Sequence, residues 1–160
     1  MENQTNNNQS KKERDAQIIK DEIVKKYQDG RFDSEVSWRL FRDNLYLSNK
    51  GLKDISKIGG LTKIEELYLD NNEIEDICSL AHLINLTQLD LSHNKINDIE
   101  ALEKLIELKA LDLSYNEISD ISPLFKLYKL ECLNIKKCEN ITTEQVEELK
   151  KELPNCKICS

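Results

Sequence analysis

Long apolar runs are missing from this 160-residue chain. No segment approaches the roughly 18 consecutive apolar residues that a membrane-spanning helix needs. The opening residues, MENQTNNNQSKKERD, also lack the apolar core of a secretory signal. Without such a signal, the odd number of cysteines (five) favours reduced thiols over disulfides. We therefore expect a cytoplasmic protein that neither crosses nor attaches to a membrane.

Positive charge is also scarce. Lysine and arginine number 23 against 30 aspartates and glutamates, and the formal net charge is −7. Nucleic-acid binding requires a basic face, so we expect no nucleic-acid partner. Only 39% of the residues are hydrophobic, which is too few for one compact spherical core. That fraction is sufficient for a solenoid, because each repeat of a solenoid contacts only its neighbours.

The chain does have an internal repeat of 22 residues. Residues 83–104 read LINLTQLDLSHNKINDIEALEK, and the same pattern starts again at Leu105. Periods of roughly 20–29 residues are typical of stacked repeats. In each repeat, two apolar residues two positions apart face the same way on a short strand. These pairs are Leu45 with Leu47, Leu67 with Leu69, Leu89 with Leu91, Leu111 with Leu113, and Leu133 with Ile135.

An asparagine follows the second apolar residue by three positions in the middle repeats, as Asn72, Asn94 and Asn116. A side-chain amide both donates and accepts hydrogen bonds. Stacked asparagines can therefore satisfy backbone groups where each strand turns away, and we predict a structural ladder. The first repeat has Lys50 at this position and the last has Cys138, where the ladder lacks a neighbour.

An aspartate followed by isoleucine comes next in each of the first four repeats, beginning with Asp54 and Ile55. An aspartate before an apolar turn acts either as a helix N-cap or in an Asx turn, and the sequence leaves both open. We predict short helical or 3₁₀ turns on the convex side. Each turn is expected to place one apolar residue in the core, namely Ile58, Leu80, Leu102 and Leu124.

The N-terminal part of the chain departs from the repeat. Residues 1–12 are polar and are expected to form a disordered tail. Residues 13–43 are expected to form a helical cap over the first repeat, with a helix that ends at about Tyr27. The only tryptophan, Trp38, belongs either to the core of this cap, the interpretation we favour, or to a ligand-stacking site.

The C-terminal part of the chain also changes form. Five repeats occupy residues 44–141, and residues 142–160 are expected to cap them. A capping box formed by Thr142 and Gln145 predicts the start of a helix, and residues 156–158 predict a final edge strand. Residues 13–160 are thus expected to form a single domain.

The unit L-x-L followed by N-x-I-x-D-I-x-x-L resembles leucine-rich repeat proteins of the bacterial internalin type. It also resembles the regulatory subunit of protein phosphatase 1. The segment ITTEQVEELKKELPNCKI is similar to the closing segment of many small bacterial leucine-rich repeat proteins, and the resemblance covers about residues 44–158. It implies an α/β fold: a right-handed solenoid with a parallel β-sheet on the concave side, which binds other proteins.

The residues between and beside the inward-facing leucines are expected to lie on the concave side. Carboxylates form the centre of that face, with tyrosines on one side and lysine on the other. Carboxylates steer association, and tyrosine is enriched at binding hot spots. We therefore predict a face that binds a basic or amphipathic protein surface. The candidate residues are Tyr46, Glu66, Tyr68, Asp70, Gln88, Asp90, His93, Asp112, Tyr115, Asn134 and Lys136.

Two functions are compatible with this face. The first is a non-enzymatic protein-protein interaction module that is monomeric on its own. The second is a dedicated regulatory or inhibitory subunit of an enzyme, such as a phosphatase-type regulator or a toxin-neutralising immunity protein. The acidic composition supports the second function because an acidic protein is suited to blocking a basic active site.

Catalytic and metal-binding interpretations have less support. Asp90 and Asp112 are expected on neighbouring strands, where two carboxylates can share a proton. An open face, however, provides neither a positioned nucleophile nor exclusion of water. Cys156 and Cys159 are spaced to lie on opposite faces of a strand, and the chain has no second C-x-x-C. We expect no catalytic residue, no metal and no cofactor.

Overall fold

The computed structural model describes residues 2–26 and 44–160, with side chains described for 9–23 and 44–160. Within these described residues, six parallel strands form one open sheet in the order of the sequence. From β1 to β5, each residue lies opposite the residue 22 positions later, as Leu45 lies opposite Leu67. The strands are β1 (Leu45–Tyr46), β2 (Glu66–Tyr68), β3 (Gln88–Asp90), β4 (Ala110–Asp112), β5 (Cys132–Asn134) and β6 (Lys157–Cys159).

The core is one continuous apolar cluster along the inner side of this sheet. Both apolar residues of every repeat are buried, as the spacing of two predicted. The parallel-sheet solenoid is therefore confirmed.

Across residues 44–160, four 3₁₀ turns form the convex side of the solenoid: Ser56–Gly60, Cys78–His82, Glu100–Lys104 and Ser122–Lys126. Each begins after an isoleucine that makes no side-chain capping hydrogen bond. The aspartate instead accepts from the backbone N–H two residues later, for example Asp120 Oδ1 from Ser122 at 2.8 Å. This is an Asx turn, so the N-cap alternative is wrong. The same hydrogen bond lowers the pKa of Asp120.

Asparagine side chains bridge successive repeats where the strands end. Asn94 Oδ1 accepts from the Ile74 N–H at 3.0 Å, while Nδ2 donates to the carbonyls of Leu69 and Leu91, each at 3.0 Å. The side chains of Asn72 and Asn116 make the corresponding contacts.

The two exceptions to the asparagine pattern lie at the ends of the stack. The Cys138 thiol donates to the Leu113 carbonyl at 3.2 Å, so it makes one of the hydrogen bonds that an asparagine would make. At the other end, the Lys50 backbone N–H donates to Asn72 Oδ1 at 3.0 Å. The Lys50 ammonium group pairs with Glu22 at 2.9 Å. Lys50 thus links the first repeat to the N-terminal helix.

The N-terminal helix α1 spans Glu2–Lys26. It includes residues 2–12, the segment for which the sequence predicts a disordered tail. Contacts in this part of the helix include the hydrogen bond from Gln9 to Glu13 and the ion pair between Lys12 and Asp54. The cap predicted for 13–43, including Trp38, lies largely outside the described residues.

Helix α1 covers the open end of the first repeat. Ile19 and Ile23 are fully buried there. Asp15 is also buried, and its Oδ2 accepts from the backbone N–H groups of Lys53 and Asp54 at 2.9 and 3.0 Å. A carboxylate from the helix thus satisfies donors that face the end of the solenoid.

The C-terminal end consists of helix α2 (Thr143–Glu152) and strand β6. The predicted capping box is present: Gln145 N–H donates to Thr142 Oγ1, and Thr142 N–H donates to Gln145 Oε1. Val146 and Leu149 are buried against the last repeat. Strand β6 pairs with β5 and begins at Lys157, one residue later than expected. The helix-plus-strand cap is therefore confirmed.

Candidate protein-binding face

The strand register sets one row of side chains across the middle of the sheet. The residue between the two inward-facing apolar residues of each repeat belongs to this row, which is partly or fully exposed. We call it the central row. Its members are Tyr46, Tyr68, Asp90, Asp112 and Asn134.

The first two members of the central row form a stacked pair. The ring centroids of Tyr46 and Tyr68 are 4.8 Å apart with an interplanar angle of 7°, and Tyr46 is 55% exposed. The Tyr68 hydroxyl donates to Glu66 Oε2 at 3.0 Å. Burial, together with the neighbouring Glu66 carboxylate, raises the pKa of Tyr68 to about 12. Tyr68 therefore stays protonated and presents a neutral ring.

A second stacked aromatic pair lies beyond the ends of β3 and β4. The rings of His93 and Tyr115 have centroids 4.1 Å apart and an interplanar angle of 12°. Both residues are exposed. The sequence identified all four aromatic residues as candidates, but it did not predict that they would stack in two pairs.

The His93–Tyr115 pair occupies a strained backbone position. The corresponding residue of every repeat has a positive φ of 54–61°, the left-handed region that favours glycine and asparagine. Asn49 and Asn71 suit this conformation and histidine tolerates it at position 93, whereas Tyr115 and Lys137 do not suit it. The fold alone therefore gives no reason for aromatic rings at two of these positions.

Replacing Lys137 with glycine is expected to stabilise the protein by about 0.5–1 kcal/mol, because it relieves left-handed strain. Replacing the preceding residue, Lys136, with glycine is expected to have the opposite effect, since its φ is not positive. Urea unfolding of both variants measures the difference. If both variants gain stability, or both lose it, the strain argument is contradicted.

Carboxylates lie at the centre of the face. Asp90 Oδ1 accepts from the Ser92 N–H at 2.9 Å and from its hydroxyl at 2.7 Å. Burial raises the pKa of Asp90; the Ser92 hydrogen bonds oppose this shift, and the charges of Asp112 and Asp70 add to it. An approaching cation would relieve this crowding of negative charge.

Neighbouring side chains hold the other two carboxylates of this acidic centre. Asp112 accepts from Ser114 and, at 2.8 Å, from Asn134 Nδ2. Asp70 accepts from Ser48 and from Asn71 Nδ2. Each of these serines follows the second leucine of its repeat. Their hydrogen bonds fix the carboxylates before any partner arrives.

The remaining candidates border the central row. Gln88 donates to Glu66 Oε1 at 3.4 Å, so both lie beside Tyr68. Lys136 lies past the end of β5, is exposed, and contributes positive charge at the C-terminal side of the face.

The described residues contain little that suits covalent chemistry. Asp90 and Asp112 each hydrogen-bond to the serine two residues later, and no hydrogen bond joins the two carboxylates. Burial and two neighbouring thiols raise the pKa of Cys156 to about 11, so this thiol stays protonated.

Within residues 2–26 and 44–160, no three histidine, cysteine or acidic side chains are placed to hold a metal ion. That same part of the chain contains no helix with the length and apolar character of a membrane span.

Residues 43–82, 84–124 and 106–151 match the family model described as "Leucine Rich repeats (2 copies)". Together these segments cover more than half of the chain. No protein with a curated description matches the chain significantly.

Solved structures with similar folds include two internalins from Listeria monocytogenes. One, inlF, is 30% identical to this chain with a TM-score of 0.77. The match covers 87% of this chain and 41% of the internalin chain. Internalin C2 is 29% identical to this chain with a TM-score of 0.60. The match covers 79% of this chain and 57% of the internalin C2 chain. This chain thus spans less than two thirds of either internalin. A leucine-rich repeat protein from Leptospira interrogans shares the fold at 22% identity, with a TM-score of 0.59, over 78% of this chain and 38% of its own.

Proposed function

The chain belongs to the leucine-rich repeat family, whose members generally mediate protein-protein interactions, and we propose that its concave face binds a protein partner. The observation that carries this proposal is the presence of two exposed aromatic stacks next to the acidic centre formed by Asp70, Asp90 and Asp112. In this proposal the chain is a non-enzymatic binding module.

The aromatic stacks present exposed ring area to solvent. Tyr46 and Tyr115 are 55% and 48% exposed, so about half of each side chain is available to a partner. Tyr115 also adopts a left-handed backbone conformation that costs roughly 1–2 kcal/mol for most residues with a Cβ. Rigid, exposed rings at a small entropic cost are the side chains that dominate protein interfaces.

The acidic centre favours a basic partner. Serine and asparagine hydrogen bonds hold the three carboxylates in position, so binding requires little reordering. The raised pKa of Asp90 reflects burial without a paired cation. A lysine or arginine of the partner would supply that cation, and the ring of Tyr68 beside it can add a cation-π contact.

The size of the sheet indicates which other residues take part. Five strands at about 4.8 Å spacing span roughly 24 Å, and three or four residues along a strand span roughly 10–13 Å. This footprint of about 300 Å² is smaller than the roughly 800 Å² that each partner of a standard interface buries. A stable complex therefore needs the adjoining edge as well, where His93 and Tyr115 stack.

Charge reversal at the acidic centre tests the proposal. We expect the Asp90→Lys/Asp112→Lys variant to lose the partner that the wild-type chain captures from lysate of the source organism, as measured by quantitative mass spectrometry. The matched control is Glu100→Lys/Glu117→Lys, which makes the same charge change at exposed residues outside the concave face. Equal capture by all three proteins would refute a concave binding site. If the captured partner is an enzyme that the chain inhibits or redirects, the module acts as a regulatory subunit.

A further inference from the structure

Three large apolar side chains form an exposed column on one flank of the solenoid. Ile84, Ile106 and Tyr128 occupy the same position in three consecutive repeats and are 54%, 54% and 73% exposed. We call them the flank column. They lie in the segments that connect each 3₁₀ turn to the next strand, and therefore outside the concave face.

Local geometry explains why these side chains point outward. Each follows a buried leucine in a tight turn, closed for example by Leu86 N–H donating to the Leu83 carbonyl at 3.0 Å. Leu83 and Leu86 are fully buried, and Ile84 between them is turned away from the core. The same turn recurs at 105–108 and 127–130.

The fold does not require apolar residues in this column. The first repeat has Thr62 at the same position and forms the same turn, closed by Ile64 N–H and the Leu61 carbonyl at 3.1 Å. Turn positions that face water are usually polar. Three consecutive repeats depart from this rule at the same position, and clustered exposed apolar side chains of this kind mark interaction sites.

The flank column is bordered by basic residues. The positions two before it are His82, Lys104 and Lys126, and those one after it are Asn85, Glu107 and Lys129. These positions hold three lysines and one glutamate, and Glu103 adds a second carboxylate beside Lys126, so the border keeps an excess of one positive charge while the whole chain has a net charge of −7. Lys126 pairs with Glu103, and Lys129 pairs with Glu107. Exposed ion pairs of this kind exchange at little cost when a new carboxylate arrives.

We propose that the flank column binds an acidic amphipathic helix of a partner protein. Neighbouring repeats are about 4.8 Å apart, close to the 5.4 Å rise of one helical turn. A helix lying along the column would therefore place about one apolar residue per turn against each of Ile84, Ile106 and Tyr128. Acidic residues beside that apolar stripe would face Lys104 and Lys126.

A second copy of this chain fits the flank less well. If two copies of the chain paired through a two-fold axis, their flank columns would run in opposite directions. The basic border of one copy would then face the basic border of the other. Three side chains also cover far less than the roughly 800 Å² that each subunit of a standard interface buries. A single helix is a smaller occupant and has the complementary charge.

The proposal can be tested with the full chain and two synthetic peptides of about 18 residues, measured by fluorescence anisotropy. Both peptides form helices with leucine at i, i+4 and i+7; the residues beside the stripe are glutamate in one and lysine in the other. We expect the glutamate peptide to bind at least about tenfold more tightly. The Ile84→Ser/Ile106→Ser/Tyr128→Ser variant, which alters exposed positions only, is expected to lose about tenfold or more. Its urea unfolding curve checks that it folds.

Two comparisons separate this site from the concave face. The Asp90→Lys/Asp112→Lys variant is expected to bind the glutamate peptide as the wild type does, whether or not it has lost its concave partner. The proposal is overturned by absence of saturable binding, by equal affinity for the two peptides, or by unchanged affinity in the folded triple variant. Dimerisation that depends on the flank column, seen by sedimentation, would assign this surface to a second copy instead.

Discussion

Replacing Asn94 with alanine is expected to lower the free energy of unfolding by about 3–5 kcal/mol. Asn94 is buried in the middle of the solenoid. The truncation would remove the acceptor for the Ile74 N–H and the donor for the Leu69 and Leu91 carbonyls. Each buried backbone group left without a partner costs about 1–3 kcal/mol.

Urea unfolding of the Asn94→Ala variant measures this loss. Asn97→Ala is the matched control, because Asn97 lies three residues away, is exposed, and should change stability by less than about 0.5 kcal/mol. If both variants unfold at the same urea concentration, the ladder has no energetic role. Asn94→Asp refines the test, since it keeps the acceptor for Ile74 but removes the donor.

Replacing Tyr68 with alanine is expected to weaken binding of the concave partner by about 2–4 kcal/mol, a loss of roughly 30- to 1000-fold in affinity. Tyr68 stacks on Tyr46, holds Glu66 through its hydroxyl, and lies next to Asp90 in the central row. Its removal would therefore disturb an aromatic surface and the adjoining acidic centre together. Titration calorimetry with the purified partner gives the affinity.

Two further tyrosine variants control this measurement. Tyr128→Ala makes the same substitution on the flank and is expected to leave concave affinity unchanged. Tyr68→Phe keeps the stack and loses only the hydroxyl, so it should retain most of the affinity if the ring is the main contact. If the Tyr68→Ala variant binds the partner as tightly as the wild type does, the aromatic stacks are not part of the interface.

The solenoid was predictable because its determinants recur every 22 residues. A leucine that must face a neighbouring repeat appears in the same place each time, and the alternation in Leu89, Asp90 and Leu91 directly marks a strand with one buried face. The 3₁₀ turns followed from the recurring aspartate before isoleucine. The role of that aspartate was not settled by its spacing, because N-caps and Asx turns use the same residue type.

Other features depended on contacts between distant residues. Helix α1 reaches back to Glu2, although its first residues are polar, and Lys12 pairs with Asp54 of the first repeat. The two aromatic stacks depend on ring orientation, which the spacing of 22 residues does not specify. The flank column was also missed, since an isoleucine after a buried leucine gives no sign in the sequence that it is turned outward.

Site-specific photocrosslinking in cells of the source organism tests the concave binding site most directly. One photoreactive residue would replace Gln88, which is exposed beside the central row, and another would replace Asn97, which is exposed away from it. The proposed concave site predicts a discrete crosslinked protein from position 88 that is absent from position 97 and lost in the Asp90→Lys/Asp112→Lys background. The same crosslinked protein from both positions, or one that persists after charge reversal, would contradict it.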